Sequence, residues 1–347
     1  MNKIILYILS LCALAVVSVS CERRPLVDIS EKVKVRVLLN VKNIPNVTAG
    51  LYNPNVKVPD VFPKIIRVMF YDSYTDEVAA QGFISKRVVD EDGREYIEGD
   101  VIVYPGTYDL VCYNFDTPTT LVRDENNWNT ITAYTSEISE NLYSRFNTRS
   151  EDANPRIYYA PDHLFVARED NVDIPEHTNI ITISTEANTV IDTYYIQLRL
   201  VNGRYASDAT AVITDLAPSN RFAPNERNYK EYAGTFFEMQ RSVDARIRAT
   251  NQDVLCAVFN TFGKRPDEIA PSLESKLYVT FNVITVDGKK VEMTFDMDSI
   301  FKTKQAIENH WLLIDKEFVV PKPDNPSGGG FNPSVDEWNK EEGSLDI

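Results

Sequence analysis

The sequence predicts an all-β protein made of two antiparallel β-sandwich domains in series, with a few short helices. Three stretches carry this prediction. Residues 32–42 alternate between apolar and polar side chains, which is typical of a half-buried strand. Residues 104–115 begin at a Pro-Gly turn and continue as an apolar strand. Residues 278–297 have the pattern of a hairpin with Asp-Gly at its turn.

The remaining elements are predicted from the same signals, taken in order along the chain. Further strands in the first half are expected over 65–71, 78–85 and 96–104. Strands in the second half are expected over 179–185, 190–201, 209–216, 235–240, 254–262 and 311–320. Apolar residues recur at helical spacing in 136–146 and 299–309, which predicts two short helices. Residues 43–63 are rich in Asn and Pro and are expected to be a loop.

The predicted organisation has five parts. They are a lipoprotein signal peptide (1–20), a tether (21–31), an N-terminal β-sandwich (32–170), a C-terminal β-sandwich (171–320), and a Pro/Gly hinge with a C-terminal tail (321–347). The boundary between the sandwiches is placed in the charged stretch 168–176, which contains a proline.

The first 21 residues have the pattern of an export signal. Lys3 gives a basic start, residues 4–17 are almost entirely apolar, and small residues precede Cys21. An apolar run of 14 residues is too short to cross ~30 Å of hydrocarbon comfortably. The pattern resembles a bacterial lipobox, in which the cysteine thiol carries a diacylglycerol, although Ser18 stands where leucine is usual. We therefore expect lipid on Cys21, and the alternative is an ordinary secretory signal.

Composition limits the classes of function. The chain has a formal net charge of −15 and 43% hydrophobic residues. The hydrophobic content is enough for real cores. The acidic balance argues against a nucleic-acid partner, because such proteins need a basic surface. It also argues against binding to a membrane through a polybasic surface.

The sequence contains no pattern typical of a catalytic or metal site. It has no GxSxG, HExxH, P-loop or GxGxxG motif, and its three histidines fall in a turn, a linker and a strand edge. No CxxC or Cys/His cluster suggests zinc. We therefore expect no enzymatic activity, no cofactor and no metal. Cys112 and Cys256 lie in separate apolar strands, which favours two buried free thiols over a disulfide.

The C-terminal tail differs from the rest of the chain. Prolines and Gly328-Gly329-Gly330 form a hinge. The tail proper, 331–347, carries scattered apolar residues among acids and is too sparse to fold alone. We expect it to pair with a sheet edge in an extended form, and the alternative is a disordered acidic tail.

Several segments together resemble one protein family. They are Ser20–Leu26, the Pro105-Gly106-Thr107-Tyr108 turn with Tyr113-Asn114-Phe115, Leu216–Ser219, Phe259–Gly263, and the Gly-rich C-terminus with its Val-Asp-x-Trp element. In this order they are similar to the Bacteroidales fimbrillin-like lipoproteins of the type V pilin superfamily. The resemblance implies two transthyretin-like sandwiches, a place at the outer membrane or cell surface, and other pilin subunits as partners.

The resemblance also implies a way of assembling. In the family, an arginine-specific protease removes the first strand, and a C-terminal strand of another subunit fills the groove by β-strand addition. The residues of this chain that correspond to these two segments are Val33, Val35, Val37 and Leu39 in the first strand, and Phe331, Val335 and Trp338 in the tail.

One departure from the family pattern refines this expectation. No arginine lies between Val41 and Lys64, where cleavage after the first strand would occur. This favours an anchor, tip or accessory subunit that keeps its first strand. The alternative is a surface lipoprotein that binds glycan or host protein without polymerising.

Overall fold

The structure is a computed structural model that describes residues 32–41, 47–58, 61–143, 155–176, 180–229, 233–243, 253–264 and 277–323. Several expectations fall outside the described residues. They are the signal peptide, Cys21, the tether 21–31, and the tail residues Phe331, Val335 and Trp338.

The described residues are mostly strand, so the all-β prediction is confirmed. The first half contains β1 (Val33–Val41), β2 (Ile66–Asp72), β3 (Val78–Ile84), β4 (Lys86–Val89), β5 (Glu95–Val103), β6 (Gly106–Asn114), β7 (Thr120–Arg123), β8 (Thr132–Thr135), β9 (Arg156–Tyr159), β10 (Phe165–Ile174) and β11 (Ile180–Thr189). The second half contains β12 (Asp192–Val201), β13 (Ala206–Thr214), β14 (Ser219–Arg221), β15 (Glu226–Arg227), β16 (Ala233–Glu238), β17 (Gln240–Val243), β18 (Asp253–Thr261), β19 (Tyr278–Thr285), β20 (Lys290–Asp296) and β21 (Trp311–Val319). The short helices are α1 (Ala49–Tyr52), α2 (Glu140–Tyr143), α3 (Asp298–Phe301) and α4 (Lys304–Asn309).

The first sandwich is one sheet folded over on itself. Its described strands follow the order β3-β2-β6-β10-β11-β1-β5-β4. The inward side chains of both ends meet in one apolar core, because β3 comes back to pack against β5. Two glycines allow this approach: a Cβ at Gly82 would lie 2.9 Å from a Val101 methyl, and one at Gly99 would lie 2.4 Å from a methyl of Ile84. The fold therefore closes where these glycines leave room for the opposite strand.

The second sandwich has two facing sheets. One has the order β17-β18-β12-β21 and the other β20-β19-β13-β16-β9 among the described strands. Their inner faces enclose a core in which Phe237 and Phe259 stack with ring centroids 4.2 Å apart. Most ladders of the protein are antiparallel, but β1 with β11, β12 with β21, and β9 with β16 are parallel.

The two sandwiches exchange strands. β9 precedes β10 in the chain but extends a sheet of the second sandwich through β16. In return, β14 and β15 join β7 and β8 in the sheet β15-β14-β8-β7, which covers the outer face of β2 and β6. The two cores are therefore interlocked rather than placed end to end.

The expected division at residue 170 does not follow the sheets. It falls inside β10, and the charged stretch expected to be a linker pairs with β6 instead. A bulge between Glu169 and Val172 accommodates the charged residues, and Asn171 at φ 56° donates its N–H to Asp109 at 2.8 Å. We therefore propose a boundary between β11 and β12.

Other expectations can be compared directly with the structure. Cys112 and Cys256 are buried free thiols, as the sequence predicted. The expected helix 299–309 is two helices, because Thr303 has an extended backbone and its hydroxyl caps α4 by accepting from the Ala306 N–H. Of the expected helix 136–146, the described part contains only the single turn α2.

Candidate strand-pairing site

The first strand is a central strand of the first sandwich. Its inward side chains, Val33, Val35, Val37 and Leu39, are at most 1% exposed. On one side β1 pairs antiparallel with β5, and on the other it pairs parallel with β11. Val37, for example, lies opposite Gly99 on one neighbour and Ile183 on the other. The structure thus brings the four predicted first-strand residues into one core, while the predicted tail residues lie outside the described part.

The outward face of β1 is charged and paired across the sheet. Arg36 Nε donates to Asp100 Oδ1 at 3.1 Å, and Lys34 Nζ lies 3.6 Å from the other oxygen of the same carboxylate. The hydrogen bond from Arg36 holds the pKa of the Asp100 carboxyl below its usual value. These pairs are exposed and contribute little to stability, but they favour the observed register over a shift by one residue.

The part of the expected loop that follows β1 lies on the second sandwich. We call residues 47–58, which follow β1 and contain α1, the strap. Its Val47, Ala49 and Val56 are buried against the outer face of β12, β18 and β21. The Tyr52 ring lies 4.9 Å from the ring of Trp311. The strap therefore ties the connection between β1 and β2 to the other sandwich.

A buried amide fixes the strap in register. Asn53 is 0% exposed, and its Nδ2 donates to Tyr195 Oη at 3.3 Å and to Ser242 Oγ at 3.1 Å. Its Oδ1 accepts the backbone N–H of Asn55 at 3.1 Å. Because buried polar groups are costly when unpaired, these bonds specify one position for the strap.

Cys256 reports on this contact because it lies in the cluster beneath the strap. Burial raises the pKa of its thiol to about 11, so the thiol is protonated and unreactive near neutral pH. We expect Asn53→Ala to increase the rate of maleimide labelling of Cys256 about tenfold or more, since the lost hydrogen bonds favour local opening. Mass spectrometry of labelled peptides measures the rate at each cysteine.

The matched control changes the other side of the strap. Leu51 is 79% exposed, so Leu51→Ala should leave Cys256 labelling unchanged. Cys112, in the core of the first sandwich, is the internal reference. Equal acceleration at Cys112 and Cys256 would indicate global unfolding, and no acceleration at Cys256 would show that Asn53 does not hold the strap.

A cleft of about 570 Å³ lies between the sandwiches. It is lined by residues of β16 and β18, by the connection between β9 and β10, and by residues 61–64 and 116–119 next to β2 and β6. That connection is fixed by Asp162, whose Oδ2 accepts from the Thr119 hydroxyl at 2.8 Å and from the Thr120 N–H at 3.0 Å. His163, at the cleft, is neutral at pH 7 because burial lowers its pKa to about 4. Asp162 therefore acts as a hydrogen-bond acceptor that holds the connection between β9 and β10 in place.

Among the described residues, no group of three or more His, Cys, Asp or Glu side chains is arranged to hold a metal ion. No helix in the same part of the chain is long and apolar enough to cross a bilayer.

The interlocked sandwiches, with the first strand inside the first core, form an all-β protein of two sandwiches, the architecture that the sequence resemblance implied. The chain belongs to the family described as "Domain of unknown function (DUF5119)", whose model matches residues 56–238. The matched region covers strands of both sandwiches.

Two relatives extend the comparison. A Bacteroides ovatus protein named as a fimbrium anchoring subunit, Fim4B, is 23% identical over 305 residues, which cover 82% of this chain and 85% of that protein. A crystal structure of a Bacteroides ovatus protein named as an adhesin matches with a TM-score of 0.56 and 19% identity, covering 88% of this chain and 99% of the other. The second likeness supports the fold.

Proposed function

We propose that this protein is a lipid-anchored, cell-surface subunit of a type V pilus, in an anchor, tip or accessory position. The similarity to a protein named as a fimbrium anchoring subunit, over most of both chains, supports the place in a fimbrium. The lipobox-like segment ending at Cys21 supports the lipid anchor.

The pairing and burial of β1 favour an anchor, tip or accessory position in the pilus. The strand is paired on both sides along nearly its whole length and buries five apolar side chains, counting Val41. No arginine follows it before Lys64, so the sequence offers an arginine-specific protease no site in that connection. In this proposal the subunit keeps its own first strand, and the first groove is not open to a donor strand.

The proposal leaves the tail as the segment through which the subunit reaches others. Residues 331–347 would pair with a sheet edge of a neighbouring subunit, with Phe331, Val335 and Trp338 filling pockets on that neighbour. Main-chain hydrogen bonds would supply affinity and the alternate side chains would supply register. An end subunit of this kind donates a strand without accepting one in the first groove.

Protein recovered from cells tests the proposal. We expect the wild type to sediment with membranes, to carry lipid on Cys21, to retain β1, and to co-purify with pilin subunits. Cys21→Ser should move the protein to the soluble fraction, because the acyl chains supply the membrane affinity. Intact-mass spectrometry reads the lipid and the N-terminus in one measurement.

Three other outcomes would each contradict a separate part of the proposal. Membrane retention of Cys21→Ser after high salt and mild detergent would exclude the lipid anchor. A mature chain that begins after Val41 would show that the first strand is removed. Absence of pilin subunits from the purified material would favour a surface lipoprotein that acts alone.

A further inference from the structure

The outer face of β2, β3 and β6 is covered unevenly. The sheet β15-β14-β8-β7 buries Met69 and Tyr71 of this face. At the other end, Ile65, Phe83 and Phe115 are 40%, 56% and 47% exposed. We call these three residues the aromatic patch. Exposed apolar side chains grouped in this way mark binding surfaces more often than single ones do.

The patch is held in a fixed arrangement. The rings of Phe83 and Phe115 have centroids 5.2 Å apart. The Arg67 guanidinium carbon lies 5.6 Å from one centroid and 5.4 Å from the other. Ile65 lies beside Phe115, because its carbonyl accepts the Phe115 N–H at 2.9 Å.

The arginine is itself fixed from two directions. Arg67 Nη2 donates to Gln81 Oε1 at 2.8 Å and lies 3.2 Å from Glu125 Oε2. Contact between a guanidinium and an aromatic face is attractive, so Arg67 stabilises both rings in their exposed positions. Side chains that are already ordered lose little entropy when a ligand binds.

We propose that the aromatic patch, with Gln81 at its rim and the mostly buried Arg67 against its rings, is a binding site for a neutral carbohydrate. A pyranose ring has an apolar C–H face that can lie on an aromatic ring, and hydroxyl groups around its edge. The exposed Gln81 amide offers its N–H donors to these hydroxyl groups, while its oxygen already accepts from Arg67. Apolar stacking with a planar polar group at the rim suits such a ring.

The size of the patch argues against a protein partner. Three half-exposed side chains present roughly 300 Å² of apolar surface, since a whole aromatic side chain buries about 150–250 Å². A stable protein interface takes about 800 Å² from each partner. A peptide strand could not add to β2 or β6 either, because each already pairs with a strand on both sides, and β3, the end strand of the sheet, packs closely against β5.

Charge argues against an acidic ligand. The guanidinium of Arg67 is already compensated by Glu125. Lys64 precedes Ile65 in the chain, but it lies beside Asp116, whose carboxylate accepts the Lys64 backbone N–H at 3.0 Å. The chain as a whole has a formal net charge of −15. An anionic sugar would therefore be repelled at long range and would find no uncompensated cation in Arg67.

The site can be tested separately from pilus assembly, because its residues lie on β2, β3 and the end of β6 rather than in β1 or the tail. The purified protein is applied to an array of neutral and sialylated oligosaccharides. The neutral glycan with the strongest signal is then titrated by calorimetry. We expect binding to neutral glycans, and about tenfold weaker binding for Phe83→Ala and for Phe115→Ala, from loss of ring contact.

The matched control removes another exposed ring. Tyr74 is 97% exposed on the turn after β2 and is not part of the patch, so Tyr74→Ala should bind as the wild type does. Thermal unfolding of each variant confirms that it is folded. The proposal is overturned if no neutral glycan binds, if only sialylated glycans bind, or if the phenylalanine variants bind as well as the wild type. It is also overturned if the wild type forms a dimer that both variants abolish, since the patch would then be a protein interface.

Discussion

Val37→Asp should destabilise the first sandwich by several kcal/mol. Val37 is 0% exposed at the middle of β1, and its side chain points into the core shared by both ends of the folded sheet. An aspartate there would bury a carboxylate without a partner, at a cost of several kcal/mol. Because a domain of this kind is stable by only about 5–15 kcal/mol, the change removes much or all of that margin. Urea unfolding followed by circular dichroism measures it.

The same charge on the other face of β1 is the control. Asn40 points outward from the strand, is partly exposed and lies opposite Glu186 of β11, so Asn40→Asp should lower the free energy of unfolding by no more than about 1 kcal/mol. If Val37→Asp were as stable as Asn40→Asp, the alternation of β1 would not reflect a buried face. The proposed retention of the first strand would then lose its structural basis.

Local patterns predicted the strands that have one buried face. The period-two alternation of β1 is visible in residues 32–42, and the hairpin of β19 and β20 is visible from its Asp-Gly turn. In both segments alternate side chains face either the core or the solvent, so the sequence of the segment itself shows which face is buried. The four predicted first-strand residues could therefore be identified as buried from the sequence.

The strap could not be predicted in the same way. Its Val47, Ala49 and Val56 have no helical or strand period, and the surface that buries them belongs to the second sandwich. Asn53 and its partner Tyr195 are separated by 142 positions in the chain. When a segment shows no period, its sequence does not indicate that it packs against a distant part of the chain, and its Asn and Pro content favours a loop. The expected loop is therefore a packed connection between the sandwiches.

The exchanged strands were missed for a related reason. β9 and β15 are four and two residues long, and β14 has only three, too few to show a period. β9 and β14 are stabilised by pairing with strands of the other half, and β15 is stabilised by pairing with β14. A sequence that reads as two units in series can therefore fold into two cores that complete each other.

Gly99→Ala should be among the most destabilising small changes in the first sandwich. Gly99 lies opposite Val37 in the sheet, and Ile84 of β3 occupies the space above it. A Cβ at Gly99 would lie 2.4 Å from the Ile84 Cγ2, 2.7 Å from its Cβ and 3.2 Å from its Cα. Since backbone as well as side chain must move, we expect a loss of about 2–3 kcal/mol in the free energy of unfolding.

Two comparisons decide whether close approach is the cause. At Gly50 the nearest atom to an added Cβ is the Val56 carbonyl oxygen at 3.4 Å, so Gly50→Ala should be nearly neutral. Ile84→Ala makes room above Gly99, so the double variant with Gly99→Ala should lose at least about 1 kcal/mol less than the sum of the two single losses. Strict additivity would mean that β3 and β5 do not meet at this point, and the closure of the first sheet around β1 would have to be redrawn.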